Sequence, residues 1–173
     1  NGFASLVDVG TGSGVIGLTL KKELPNLKVT LADISNTAIE LAKENAKLLQ
    51  LDAMICNSDM LTNIIKKGET FDVLISNPPY IAEEEPIMDI VKNNEPLLAL
   101  YGGEKGLKYY DIILSQAKQV LNRKGLIAFE IGAGQARDIC QLANKYFKGS
   151  RNEIKKDLQG RDRMFFLFYN LND

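Results

Sequence analysis

Short apolar runs alternate along this chain with longer stretches whose hydrophobic residues return every three or four positions, the pattern of strands alternating with amphipathic helices. Leu6 to Val9 reads as a first strand, and a helix from about Val15 to Leu24 follows it and stops at Pro25. Val29 to Ala32 reads as a second strand. Ser35 suits the N-cap of a helix reaching about Leu49, whose Ala38, Ile39, Leu41, Ala42, Ala46 and Leu49 form one apolar face. Ala53 to Cys56 is a weaker third strand, and Phe71 to Ser76 a fourth, closed by two prolines that have no N–H to give a ladder. From Ala82 to Gly106 the pattern lapses into a long acidic connection, of the length that loops over binding sites reach. A helix from about Leu107 to Leu121, a fifth strand from Gly125 to Ile131 and a helix from about Gln135 to Phe147 follow. Strands near Asn152 to Leu158 and Arg163 to Tyr169, joined through Gly160, Arg161 and Asp162, read as a closing hairpin. The expected fold is α/β: a doubly wound, mostly parallel seven-stranded sheet with an antiparallel C-terminal hairpin.

Composition narrows the chemistry. With 173 residues, 45% of them apolar and 25% charged, the chain fits one globular domain spanning residues 1–173. No apolar run approaches the roughly 20 residues that a membrane-crossing helix needs, so no membrane partner is expected. The sequence contains no histidine. Imidazole bases, Ser-His-Asp and Cys-His nucleophiles and His-ligated metals are thereby excluded, and no metal site is expected. Cys56 and Cys140 stand far apart without a paired spacing and read as reduced core thiols, which places the protein in a reducing, cytoplasmic compartment. Net charge is -1, but residues 1–117 carry 10 basic and 16 acidic side chains and residues 118–163 carry 11 and 5. The favoured reading of that asymmetry is solvated helix faces; the alternative is a docking surface for nucleic acid.

Two loops carry the candidate chemistry. Asp8-Val9-Gly10-Thr11-Gly12-Ser13-Gly14 falls where the first strand meets its helix, so backbone N–H groups are expected to face a ligand that the glycines let approach closely. Gly12, Gly14 and Gly17 also fit the dinucleotide fingerprint, with Asp33 at the end of strand two as the ribose-binding acid. Asp8 argues against a pyrophosphate, which its carboxylate would repel, and for a cationic ligand such as S-adenosylmethionine. Asp59 and Met60, after strand three, read either as the pair that takes the adenine amine and packs on its ring or as an ordinary solvated turn.

Asn77-Pro78-Pro79-Tyr80 follows strand four, which in this topology lies beside strand one, so both loops open on one crevice. A residue before proline is held extended, which stiffens Asn77 and Pro78. The Asn77 side-chain oxygen and the Pro78 carbonyl can accept both hydrogens of a substrate NH2 group, and Tyr80 can stack on a flat amide or base. Two acceptors on those hydrogens favour a pyramidal nitrogen with an available lone pair.

These two motifs resemble those of the class I S-adenosylmethionine-dependent methyltransferases that act on amino nitrogens. Further blocks, Glu95 to Leu107, Phe129-Glu130-Ile131-Gly132 with Gln135, and Lys156 to Arg163, resemble the release factor glutamine methyltransferases, the HemK type, from Val7 to about Phe168. The resemblance implies N5-methylation of the glutamine in the Gly-Gly-Gln loop of class 1 peptide chain release factors, with S-adenosylhomocysteine as the other product. It implies that Gly10 to Gly14, Asp33 and Met60 hold the cofactor, that Asn77, Pro78, Pro79 and Tyr80 hold the glutamine, and that Asn77 touches both; Asp8 and Asp59 join the cofactor set on their own positions in the chain. The family's N-terminal helical domain and the acidic segment before strand one are missing here, so the chain reads as a catalytic domain taken from a longer protein. Glu83, Glu84 and Glu85 disfavour a polyanionic substrate, and no stable nucleic acid complex is expected. The alternative reading is an N6-adenine or other nucleic-acid amino-methyltransferase.

Overall fold

The computed structural model describes residues 4–82 and 101–171. Seven strands form one sheet in the order β3-β2-β1-β4-β5-β7-β6. They are β1 (Ser5–Val9), β2 (Lys28–Asp33), β3 (Met54–Asn57), β4 (Phe71–Ser76), β5 (Leu121–Glu130), β6 (Arg151–Lys156) and β7 (Asp162–Tyr169). The first five pair in parallel, and β7 pairs antiparallel with both β5 and β6, as expected of a doubly wound sheet closed by a hairpin. Strand order reverses between β1 and β4, where the two halves of such a sheet part and leave a crevice at the carboxyl ends of their strands.

Helices α1 (Val15–Glu23), α2 (Asn36–Leu48), α3 (Thr62–Lys67), α4 (Lys108–Ala117) and α5 (Ala136–Tyr146) cover the two faces. Alternate residues of each strand point to opposite faces. Leu6, Leu31, Val73 and Ile75 pack with Leu18 of α1 and Ala42 and Ala46 of α2. On the other face Val7, Val9, Leu74, Ile127, Phe129 and Phe165 pack with Ile64 of α3, Tyr110 and Leu114 of α4 and Ile139 of α5. Cys56 and Cys140 are free thiols packed partly buried against that second cluster, and burial raises the pKa of each.

Several expected elements differ in detail. The Ser35 hydroxyl caps α2 by accepting from Ala38 N, but Leu41 and Leu49 are 44% and 46% exposed, so the buried stripe is the narrower set Ile39, Ala42 and Ala46. The helix expected to reach Leu121 ends at Ala117, and β5 begins at Leu121 rather than Gly125. Leu121 pairs with Phe71, and a bulge before the Val73 and Leu126 pair absorbs the intervening residues. Helix α3 was not expected at all. Most of the Ala82 to Gly106 connection, with Glu83, Glu84, Glu85 and the first part of the block from Glu95, lies outside the described residues. Among the described residues no helix is long and apolar enough to cross a membrane.

Candidate active site

The crevice is set by one register. Val9 of β1 lies opposite Ser76 of β4, so Gly10 and Asn77, the next residues, leave the sheet side by side. The Ser76 hydroxyl donates to the Val9 carbonyl at 2.6 Å, tying the two strand ends together beneath both loops. Sequence reasoning passed over Ser76, and its only signal was a small polar residue ending an apolar strand.

The glycine loop is built from hydrogen bonds to β2 and to itself. Gly10 N and Thr11 N both donate to the Ala32 carbonyl, at 2.8 and 3.1 Å. Gly12 N donates to Asp33 Oδ2 at 2.9 Å, and Gly14 N to the Thr11 carbonyl at 2.9 Å. These four N–H groups are therefore turned inward, contrary to the expectation that they face a ligand. Asn45 of α2 fixes the far side of the loop, its amide donating to the Ser13 carbonyl at 2.9 Å. The loop then enters α1 through Gly14, whose φ of 81° is one that L side chains rarely adopt.

Asp8 is 1% exposed and lies under the loop rather than at its rim. Its Oδ2 accepts from the Thr11 hydroxyl at 2.8 Å and from Gly17 N at 3.0 Å, so the carboxylate fastens the loop to the first turn of α1. Burial pushes its pKa up to about 6, against the lowering effect of those two hydrogen bonds and with a smaller rise from Asp33. The buried carboxylate sits at the positive end of α1, a favourable place for it once ionised.

Asp33 uses both oxygens locally, Oδ2 for Gly12 N and Oδ1 for Ser35 N at 2.9 Å. Each oxygen keeps a lone pair for a hydroxyl donor. Ile34, next in sequence and 60% exposed, adds an apolar surface at the same strand end that sequence reasoning did not single out. Asp59 is exposed in the turn after β3, and Met60 packs partly buried against the main core with a φ of 47°. The backbone N–H of Ser58 donates to the Asp33 carbonyl at 2.9 Å, which brings this turn beside the acidic end of β2.

In the tetrapeptide the side chain of Asn77 is exposed and makes no hydrogen bond among the described residues, while Pro78 is buried. Tyr80 is half-buried and held at both ends. Its carbonyl accepts from Gln135 Nε2 at 3.0 Å; its hydroxyl donates to Glu130 Oε1 at 3.3 Å and accepts from Arg163 Nη1 at 3.4 Å. Burial, with the Glu130 carboxylate adding to it, raises the phenol pKa, so the hydroxyl remains protonated at neutral pH. Residues 101–106 clamp the exit of the corner: Gly102 N donates to the Ile81 carbonyl at 2.8 Å, and a Cβ on Gly106 would stand 2.0 Å from the Tyr80 oxygen. In the sequence Gln135 stands only as part of a family-like block; its work of joining Tyr80 to Lys105 and Gly132 emerges in the folded chain.

Solved methyltransferases share this fold. One from Pyrococcus furiosus superposes with a TM-score of 0.71 at 20% identity, covering 99% of this chain and 77% of its own, so the fold is that of the class I methyltransferases. Residues 2–102 match the family described as methyltransferase small domain, and the chain belongs to that family. Among curated relatives, a protein named release factor glutamine methyltransferase in Bacillus cereus is 43% identical over 163 residues, 93% of this chain and 58% of its own length. One of the same name in Clostridium acetobutylicum is 43% identical over 169 residues, covering 95% and 59%. The chain thus spans a little under three fifths of the relatives it matches.

Proposed function

We propose that this chain is the catalytic domain of a protein-(glutamine-N5) methyltransferase that uses S-adenosyl-L-methionine to methylate the glutamine of the Gly-Gly-Gln loop in class 1 peptide chain release factors. The observation that carries the reading is the Val9 and Ser76 register, which starts a glycine loop and an exposed Asn-Pro-Pro-Tyr corner at the same point of one crevice. The relatives' shared name supplies the substrate class.

The residues present fit that cofactor better than a dinucleotide. A Cβ on Gly10 or Gly12 would meet nothing within 4 Å, so the loop's outer side is open to a ligand. With the N–H groups of Gly10, Thr11, Gly12 and Gly14 already engaged, the loop has fewer donors to offer a pyrophosphate, and the buried Asp8 carboxylate beneath it favours positive charge. Asp33 would take ribose hydroxyls, Ile34 and Met60 the faces of the adenine, and Asp59 its amine. The bound cofactor would supply a methyl group on a cationic sulfonium, whose sulfur leaves as a neutral thioether.

The chain's own part is positioning. Asn77 Oδ1 and the Pro78 carbonyl accept the two hydrogens of the glutamine amide, and Tyr80 supports its plane. Those bonds weaken delocalisation of the nitrogen lone pair and aim it at the glycine loop. Holding two reacting groups in line is worth up to about 7–11 kcal/mol of barrier. The methylated nitrogen is strongly acidic and sheds its proton without a strong base, in keeping with a chain that has no histidine.

The test is transfer of labelled methyl from S-adenosylmethionine to a class 1 release factor and, separately, to duplex DNA and to RNA, with mass spectrometry locating the label. Label on the Gly-Gly-Gln glutamine is expected. Label on nucleic acid alone would replace this reading with the amino-methyltransferase alternative.

A further inference from the structure

We propose that Arg163 is a positioning residue for the acceptor corner: with Glu130 it fixes the phenol of Tyr80, and Asp157 of the β6–β7 turn holds Arg163 in place. The proposal rests on the reading of Asn77 to Tyr80 as the acceptor site.

Arg163 is the second residue of β7, and its side chain is only 23% exposed. Its Nη1 donates to the Tyr80 hydroxyl at 3.4 Å and to the Ile131 carbonyl at 3.3 Å, while its Nε lies 3.6 Å from Asp157 Oδ2. The backbone adds a further tie, Ile131 N donating to the Arg163 carbonyl at 2.9 Å. A guanidinium can serve two directions at once because its donors sit in a rigid plane; an ammonium is a single point and cannot reproduce the fork.

Asp157 is itself fixed. It accepts from Gln159 N at 2.9 Å, from Arg161 N at 3.0 Å and from Arg161 Nε at 2.9 Å, which sets the turn between the last two strands. On the far side of Tyr80, Glu130 accepts the phenol proton, and the Glu130 carbonyl accepts from the buried Tyr110 hydroxyl at 2.7 Å. Tyr80 thus has a donor on one side of its oxygen and an acceptor on the other, with Gln135 on its carbonyl. The bonds to the phenol are long and individually weak, and their effect is on direction: they hold the ring in one plane beside the acceptor site. The hairpin at the sheet's end thereby reaches the reaction centre through one side chain.

The test compares Arg163→Met, which keeps the apolar stem, Arg163→Lys, Tyr80→Phe, and Tyr80→Phe with Arg163→Met, all in the full chain. Arg163→Met is expected to lower kcat on the release factor about tenfold with the affinity for S-adenosylmethionine within about twofold, and Arg163→Lys to recover little of the loss. In the Tyr80→Phe background the same change should cost less than about twofold, since the partner it acts through is gone. An undiminished loss in that background, or a loss that follows weakened cofactor binding, would overturn the proposal. A readout without turnover separates the two readings: in protein carrying ring-13C tyrosine, the Tyr80 signal, assigned by its disappearance in Tyr80→Phe, should shift in Arg163→Met. If the unsubstituted chain methylates no glutamine, the acceptor reading fails, and an unmoved Tyr80 signal then removes the positioning role as well.

Discussion

Ser76 donates its hydroxyl to the carbonyl of Val9 at 2.6 Å, and the two residues are register partners at the carboxyl ends of β4 and β1. One buried hydrogen bond therefore sets the spacing of the two loops on which the proposed chemistry depends. Ser76→Ala removes the donor and leaves a small void between strand ends. A loss of about 1 kcal/mol in urea unfolding is expected, together with a fall in turnover larger than the fall in cofactor affinity. Unchanged turnover would show that the spacing is set elsewhere.

Asp8 gives a dependence on pH whose sign follows from burial. Its folded pKa of about 6 lies above the ordinary 3.8, so its neutral form is favoured in the fold. Below about pH 4 the group is protonated in folded and unfolded chains alike; as pH rises from there through 6 the folded chain comes to carry a buried charge and loses on the order of 3 kcal/mol. Asp8→Asn retains an oxygen for Thr11 and Gly17 and omits the charge. It should be more stable than the parent at pH 7.5 and equal to it near pH 4, while binding S-adenosylmethionine more weakly at pH 7.5. Calorimetric titration and urea unfolding at both pH values decide this, and an equal stability difference at the two would remove the titration from the explanation.

Gly106 tests the clamp over the corner. A Cβ there would stand 2.0 Å from the Tyr80 carbonyl oxygen and 2.6 Å from Gln135 Nε2, and the residue's φ of 67° suits glycine. Gly106→Ala must push the tetrapeptide aside. Turnover should drop by about two orders of magnitude, as misplacement of an acceptor by an ångström can cause, with cofactor affinity retained within a few fold because the glycine loop is not touched. A parallel loss of cofactor affinity would mean that the two loops are not independently held.

Much of the fold was legible in the pattern of residues. Phe71 to Ile75 is apolar but for Asp72, two prolines stand just beyond Ser76 and Asn77, and the chain forms a strand over Phe71–Ser76. Ser35 caps α2 as a serine before an apolar face should. Helix α3 escaped notice because Thr62–Lys67 is a single short stretch with two isoleucines and no side-chain cap; Lys66 and Lys67 before Gly68, with its φ of 69°, were its available marks. The site was legible as positions but not as directions. Nothing local to Gly10 or Gly12 shows that the Ala32 carbonyl and the Asp33 carboxylate, brought by a neighbouring strand, take their N–H groups. The ties from Gln135, Glu130 and Arg163 to Tyr80 likewise join residues 50 to 83 positions apart.

The most direct measurement is methyl transfer to a class 1 release factor by the parent chain and by Asn77→Ala, with the modified residue located by mass spectrometry and cofactor affinity measured beside it. Asn77 is exposed and bonded to nothing among the described residues, so its loss should leave the fold intact. The expected result is methyl on the side-chain amide of the Gly-Gly-Gln glutamine with the parent, at least about a hundredfold less with Asn77→Ala, and cofactor affinity within a few fold. Methyl on another residue, or undiminished transfer by Asn77→Ala, would contradict the account.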